Sequence, residues 1–229
     1  MSDRHKPAHP GASLDNGSIV DAGEFGSWLE ETLKSFKTQT AAIVPCGDCR
    51  ACCTSSYFIA VKPADIDALA AIPAQLLQFA PGLAKGHRVL GFRPDGTCPM
   101  FRKNQCSIYP SRPGTCRSYD CRVLAAAGLI AGDSDKSKIN ERVRAWNFTY
   151  RDDGALAAHE AVKRAAKFIG TRGHAFPEAR VPTKPSDIAV LALKVHRVFM
   201  TAAVGTWNER KIANAIITSS RAFESELFG

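Results

Sequence analysis

Four of the chain's eight cysteines fall within eight positions, Cys46-Gly-Asp-Cys49-Arg-Ala-Cys52-Cys53, and the other four follow at Cys98, Cys106, Cys116 and Cys121. Two residues separate Cys46 from Cys49, and two separate Cys49 from Cys52. At that spacing a turn can curl two thiolates onto one metal, as tetrahedral zinc sites and iron–sulfur clusters require. Gly47 suits such a turn because it tolerates backbone angles that other residues avoid. An all-sulfur donor set selects zinc, iron or another soft metal over magnesium or calcium. Cys52 and Cys53 are adjacent, and neighbouring side chains diverge in a regular backbone. The pair therefore predicts either two sites or one ligand beside a spare thiol. Eight thiols suffice for two four-thiolate sites, or for one cluster with thiols left over, and spacing does not say which four group together.

Two sharper fingerprints are not met. A radical S-adenosylmethionine motif, CxxxCxxC, would need a third cysteine where Ser56 stands, and the ferredoxin run is interrupted because Cys53 directly follows Cys52. No glycine-rich loop for S-adenosylmethionine is present either. Histidine adds little. His5 and His9 lie in a Pro- and Gly-rich N-terminal stretch, His159, His174 and His196 follow the last cysteine at a distance, and only His87 falls within the cysteine region.

The compartment decides how the thiols are read. The N-terminal residues contain no apolar run of a secretory signal, and no stretch has the length a membrane helix needs. The expectation is a cytoplasmic chain, in which thiols stay reduced. Eight cysteines in 229 residues is also sparse for a disulfide scaffold. A thiol–disulfide redox protein is the alternative without metal, but no thioredoxin-like βαβ pattern surrounds the CxxC pairs. The net charge is +8. Residues 46–122 hold ten Lys and Arg against five Asp and Glu, which would offset several thiolates. No block of like charges and no nucleic-acid motif occurs, which argues against nucleic acid as a partner.

The elements that must position these residues read as α+β: a small cysteine-rich core of short antiparallel strands and helices, then a mostly helical C-terminal half. Residues 1–20 read as a disordered tail, 21–122 as the cysteine-cluster region and 123–229 as a helical region packed on it in one compact unit. Phe25, Trp28, Leu29, Thr32, Leu33 and Phe36 share one face of a first helix. Residues 56–61 read as a strand, and Pro63 and Pro73 as openers of two short helices. "RVLGF", "CPMF" and "CSIY" read as a three-stranded antiparallel meander with a turn at Asp95-Gly96. Pro113 opens a stretch that continues as an apolar helix to Gly128 or Gly132. Ile139, Val143 and Trp146 are spaced for a helix, residues 153–170 form another, and residues 171–185 a loop. Ser186 would cap a helix through Val204, and Thr206 with Glu209 a final helix to about Leu227, the last two forming a hairpin.

The order of the cysteines resembles the CxxCxxCC, or YkgJ-type, cysteine-cluster family, described as zinc- or iron-chelating domains. The match is carried by the CxxCxxCC run and by Cys106, Ile108, Tyr109, Arg112, Pro113, Cys116, Arg117, Tyr119 and Cys121, which meet C-x-I-Y-x-x-R-P-x-x-C-R-x-aromatic-x-C. It covers about residues 43–122. The resemblance implies bound iron, alone or as an iron–sulfur cluster, or zinc, with Cys46, Cys49, Cys52, Cys53, Cys98, Cys106, Cys116 and Cys121 as ligands. The family includes flagellin lysine N-methylases, so a metal- or iron–sulfur-dependent methyl-transfer enzyme is an alternative to a metal-binding module. Arg112 and Arg117 flank Cys116 and could offset thiolate charge or donate hydrogen bonds to sulfur; the plainer reading is surface salt bridges. Tyr109 and Tyr119 read as core packing.

Overall fold

The computed structural model describes residues 19–79, 81–177 and 181–225. The fold is α+β, and its core divides in two. The larger part is helical. Strand β1 (Val20–Glu24) leads into helix α1 (Phe25–Thr38), which Glu24 caps by accepting hydrogen bonds from the Gly26 and Ser27 amides. These bonds hold the Glu24 carboxyl down at about 2. Phe25, Trp28, Leu29 and Thr32 of α1 are buried, the face predicted from their spacing. Helix α6 (Asp153–Thr171) buries mostly alanines, with Val162 and Ile169, so α7 (Pro185–Met200) packs closely along it. Helix α8 (Glu209–Ser225) folds back on α7 as the expected hairpin. Helix α4 (Arg122–Ala127) joins this core and ends at Gly128, whose φ of 67° is the left-handed cap geometry glycine favours.

The smaller part is built from short strands. Strands β2 (Ile59–Val61), β3 (Leu77–Gln78) and β4 (Arg88–Leu90) form an antiparallel sheet in the order β2-β4-β3. Strands β5 (Phe101–Arg102) and β6 (Gln105–Cys106) form a separate hairpin. Its turn, Lys103-Asn104, has positive φ at both residues (48° and 60°), the signature of a two-residue I′ turn. Ile59, Val61, Ala68, Ile72, Leu90, Cys98 and Met100 make the small core under these strands.

Several expectations change. The three-stranded meander is replaced by two sheets: "RVLGF" supplies β4, which pairs with β2 and β3, while Cys98 lies in the loop before the hairpin. The predicted strand 56–61 shortens to β2. The helix opened by Pro63 begins instead at Ile66 (α2, Ile66–Ala71), and the segment after Pro73 is one 3-10 turn running into β3. After Pro113 the chain makes two helices, α3 (Gly114–Ser118) and α4, broken at Tyr119–Cys121. Helix α5 (Ser137–Ala145) stops before Trp146, which opens strand β7 (Trp146–Thr149); β7 pairs with β1 in parallel, so Val20 belongs to a strand rather than to a tail. Helix α6 runs one residue past Gly170, a 3-10 turn interrupts the 171–185 loop, and α7 starts at Pro185 and ends at Met200, short of Val204. The capping atom of α8 is Asn208 Oδ1, which accepts from the Lys211 amide, in place of Thr206. The rest of the predicted tail, with His5 and His9, and Leu227 lie outside the described residues.

Candidate metal centre

All eight cysteines line one cavity of about 770 Å3, and all eight are free thiols. The cavity opens between the helical core and the sheets. Cys46 and Cys49 enter it from the turn after α1, where the Cys49 amide donates to the Cys46 carbonyl at 3.0 Å and Gly47 takes the predicted positive φ of 54°. Cys52 and Cys53 sit in a 3-10 turn, Ala51–Cys53, against which α5 packs. The backbone ties that turn to the sheet side, because the Cys98 amide donates to the Cys53 carbonyl at 2.8 Å. Cys106 ends β6, Cys116 lies on α3, and Cys121 lies at the start of α4.

Two buried charges fasten this wall. Asp120 and Arg122 bracket Cys121, with Arg122 Nη2 donating to Asp120 Oδ2 at 2.8 Å. Arg122 also donates to the Ala22 carbonyl of β1 and to the Ile43 carbonyl just before Cys46, while Trp28 Nε1 donates to Asp120. One ion pair thus holds α1, β1 and the approach to Cys46 against the turn that carries Cys121. On the sheet side Asp65, almost fully buried, accepts from the amides of Lys62 and Gly114 and from Arg117.

Five of the thiols, Cys46, Cys52, Cys98, Cys116 and Cys121, resist ionisation. Burial, then the nearby Cys49 and Cys52, pushes Cys46 up to about 11. Burial pushes Cys116 and Cys121 to about 12, the neighbours of Cys116 being Cys98, Cys52 and Cys106. Cys98 is raised by burial, and Cys52 is raised first by a hydrogen bond with the Cys53 thiol. Against burial stand Arg142 at Cys46, Arg112 at Cys116, Arg93 at Cys98, and Trp146, whose Nε1 donates to Cys121 Sγ at 3.1 Å. Metal binding to such thiols must displace their protons, which makes it pH-dependent.

Of the predicted arginines, Arg112 stacks over the Tyr109 ring at 4.0 Å and donates to the Tyr109 carbonyl. Arg117 donates to the Arg112 carbonyl and pairs with Asp65 at 3.3 Å, so it braces the segment around Cys116 through a salt bridge. Tyr109 is 61% exposed at the cavity mouth, not core; its Arg112 partner keeps it there. Tyr119 does pack against the helical core and meets Tyr57 at 4.9 Å. His87 is held at a turn by its own backbone neighbour, the Ala84 carbonyl, and does not line the cavity. Sequence reasoning missed Asp120, Arg122, Arg142 and Trp146. The charges directly flanking Cys121 were the one local signal for the first two; the others arrive through tertiary packing.

The donor set, eight unpaired thiols on one cavity with cationic side chains beside them, fits zinc or iron by its chemistry. Among the described residues no three His, Cys, Asp or Glu side chains close on a single metal position, so the thiols stand around the cavity wall. No helix among the described residues is long and apolar enough to cross a membrane. No curated protein and no solved structure matches the chain. Residues 45–143, a segment that reaches beyond the last cysteine to take in Arg142 and Val143 of α5, match the CxxCxxCC family model, described as a "putative zinc- or iron-chelating domain".

Proposed function

We propose that this protein binds zinc or iron, the iron alone or as an iron–sulfur cluster, through the thiolates of Cys46, Cys49, Cys52, Cys53, Cys98, Cys106, Cys116 and Cys121. The observation that carries the reading is the convergence of eight free thiols, drawn from five separate stretches of chain, on one cavity. Bound metal would supply the cross-link that the short strands around it lack. Arg93, Arg112 and Arg142 lower the cost of the thiolate charge, Trp146 donates to Cys121, and the Asp120–Arg122 pair holds the Cys46 and Cys121 segments together. Reduced thiols of this kind suit a reducing compartment such as the cytoplasm.

The test is anaerobic purification followed by metal analysis, labile sulfide and an absorption spectrum. Colourless protein holding zinc selects zinc; brown protein with sulfide selects a cluster. Metal-free protein with its thiols paired overturns the reading in favour of thiol–disulfide chemistry. The cavity volume supports a second reading, since about 770 Å3 is the size of a small-molecule site. In that reading the metal or cluster serves an enzyme, a protein lysine N-methylase being the example the family offers. Direct calorimetry with S-adenosylmethionine tests it, and no heat on titration overturns that example.

A further inference from the structure

Besides the thiols, four charged side chains line the cavity, Arg50, Arg112, Arg117 and Arg142, and among the described residues no Asp or Glu joins them there. The four guanidinium groups are not alike. Arg50 donates to the Gly47, Cys49 and Asn104 carbonyls and has Asp48 3.9 Å away. Arg117 donates to the Arg112 carbonyl and to the buried Asp65 carboxylate. Arg112 makes a single hydrogen bond, to the Tyr109 carbonyl, while its flat face rests on the Tyr109 ring. Arg142, half-buried near the end of α5, stands 5.4 Å from the Trp146 ring and has no hydrogen bond or ion pair among the described residues. Among those residues neither Arg112 nor Arg142 meets a carboxylate or donates to a cysteine sulfur. Tyr57 and Tyr119, whose rings meet at 4.9 Å on the cavity wall, likewise have hydroxyls without a hydrogen-bond partner among the described residues.

We propose, on the reading that the cavity admits a small molecule, that this molecule is an anion whose carboxylate or phosphate groups are bound by Arg112 and Arg142. A guanidinium presents a planar fork of donors that matches either group in bidentate fashion. Arg142 has its whole fork unused, and Arg112 all but one donor. A charge held partly out of water without a counter-charge is costly, and a ligand anion removes that cost. The cavity wall between the arginines includes Ile59, Leu90, Met100 and Ile139, and an apolar wall strengthens a charge pair formed against it. The Tyr57 and Tyr119 hydroxyls add neutral donors for the same ligand. Thiolates of a bound metal would feel both arginines through space without occupying their N–H donors. The same guanidinium charges repel an ammonium group, so the cavity selects against a free lysine side chain.

The full chain, purified anaerobically with whatever metal it carries, is titrated in a calorimeter with three probes: succinate, inorganic phosphate and N-acetyl-lysine methylamide. The expected result is that succinate or phosphate binds and the lysine amide does not; the anion that binds selects carboxylate or phosphate. Arg112→Gln and Arg142→Gln should each weaken that binding about tenfold or more, the effect of losing a charged hydrogen-bond partner. Arg142→Lys keeps the charge and should recover part of the loss, while Arg197→Gln, on the exposed side of α7, should change nothing. Metal content and helical circular dichroism are measured on every variant, and weakened anion binding with both unchanged is the expected signature. Loss of metal together with anion binding would assign the two arginines to the metal and overturn the proposal. Anion binding undiminished in both Gln variants overturns it too. Binding of the lysine amide and of neither anion overturns it while leaving the small-molecule reading of the cavity standing. Heat from none of the three probes also overturns it, and the S-adenosylmethionine titration then decides that reading separately.

Discussion

On one face of the cavity α1, α4, α6 and α7 bury a continuous apolar cluster that runs from Ala22 of β1 to Ile216 of α8. On the other face, strands of two and three residues cover a cluster made of Ile59, Val61, Ala68, Ile72, Leu90, Cys98 and Met100. The first face closes on itself. The second buries little apolar area for the length of chain it orders, and small cores of this kind generally rely on disulfides or metals. Cys53, Cys98, Cys106 and Cys116 line the cavity beside it. The contrast says where stability should come from: burial on the helical side, ligand bonds on the sheet side.

Metal removal tests that contrast most severely. Structural zinc can contribute on the order of 10 kcal/mol of apparent folding free energy in small domains. Chelation is therefore expected to strip hydrogen-exchange protection from β2, β4 and the β5–β6 hairpin while the amides of α6 and α7 stay protected. Uniform loss along the chain, or none, would show that the two faces do not differ in this way.

The next largest effect belongs to the pair that links the faces. Asp120→Ala leaves the Arg122 guanidinium buried without its carboxylate, and breaking a buried pair from one side costs about 3–5 kcal/mol. Urea unfolding should show that loss. The same variant should also weaken zinc binding, because Arg122 anchors the Ile43 carbonyl beside Cys46. Loss of stability with zinc affinity intact would assign the pair to the helical core alone.

A pH titration of the metal-free chain reaches the helical side without the pH dependence of metal binding. His159 is buried on α6, stacked on Phe25 at 4.2 Å, with the Tyr150 hydroxyl 2.8 Å from its Nδ1. Burial holds its pKa at about 4 from a usual 6.5, with Lys163 lowering it further and Glu160 opposing. The unfolded chain thus takes up a proton that the folded one refuses. Stability is fully present above 6.5 and declines as pH falls toward 4, by roughly 2–3 kcal/mol in all. Burial depresses His196 of α7 as well, and it adds to the loss in the same direction. His159→Asn should flatten the slope measured by urea unfolding between pH 7 and 5; an unchanged slope would remove His159 from the account.

The two faces also differed in how far the sequence disclosed them. The helical periodicity of α1, the alanine face of α6 and the α7–α8 hairpin are local patterns, and each element exists where its pattern lies. The sheet side was legible in its turn at Asp95-Gly96, where Gly96 takes a positive φ of 80°, but not in its pairing. Strands of two or three residues carry too few alternations to fix a partner, so β4 was assigned to a meander that the fold does not make. The parallel β1–β7 pair joins residues about 126 positions apart and left no local trace. At the site, the cysteines were legible by type and spacing. Arg142 and Trp146 were not, since α5 and β7 bring them to the cavity from beyond the cysteine set.

Trp146 gives the smallest and most specific of these tests, because it belongs to the helical core yet touches a thiol of the cavity. Its indole N–H donates to Cys121 Sγ at 3.1 Å, which favours the thiolate and opposes the upward push of burial. Trp146→Phe keeps an aromatic ring in the core and deletes only that donor, at a cost of about 1 kcal/mol in stability. Without the bond the Cys121 thiol becomes harder to ionise. Zinc must displace that proton, so the pH at which half the zinc is bound should move upward in the variant. Arg142, stacked 5.4 Å from the same ring and acting on Cys46, keeps its charge and confines the change to one sulfur. A Trp146→Phe chain that loses stability without moving the zinc–pH profile would show the indole to be a packing residue only, and would separate the helical core from the chemistry of the cavity it walls.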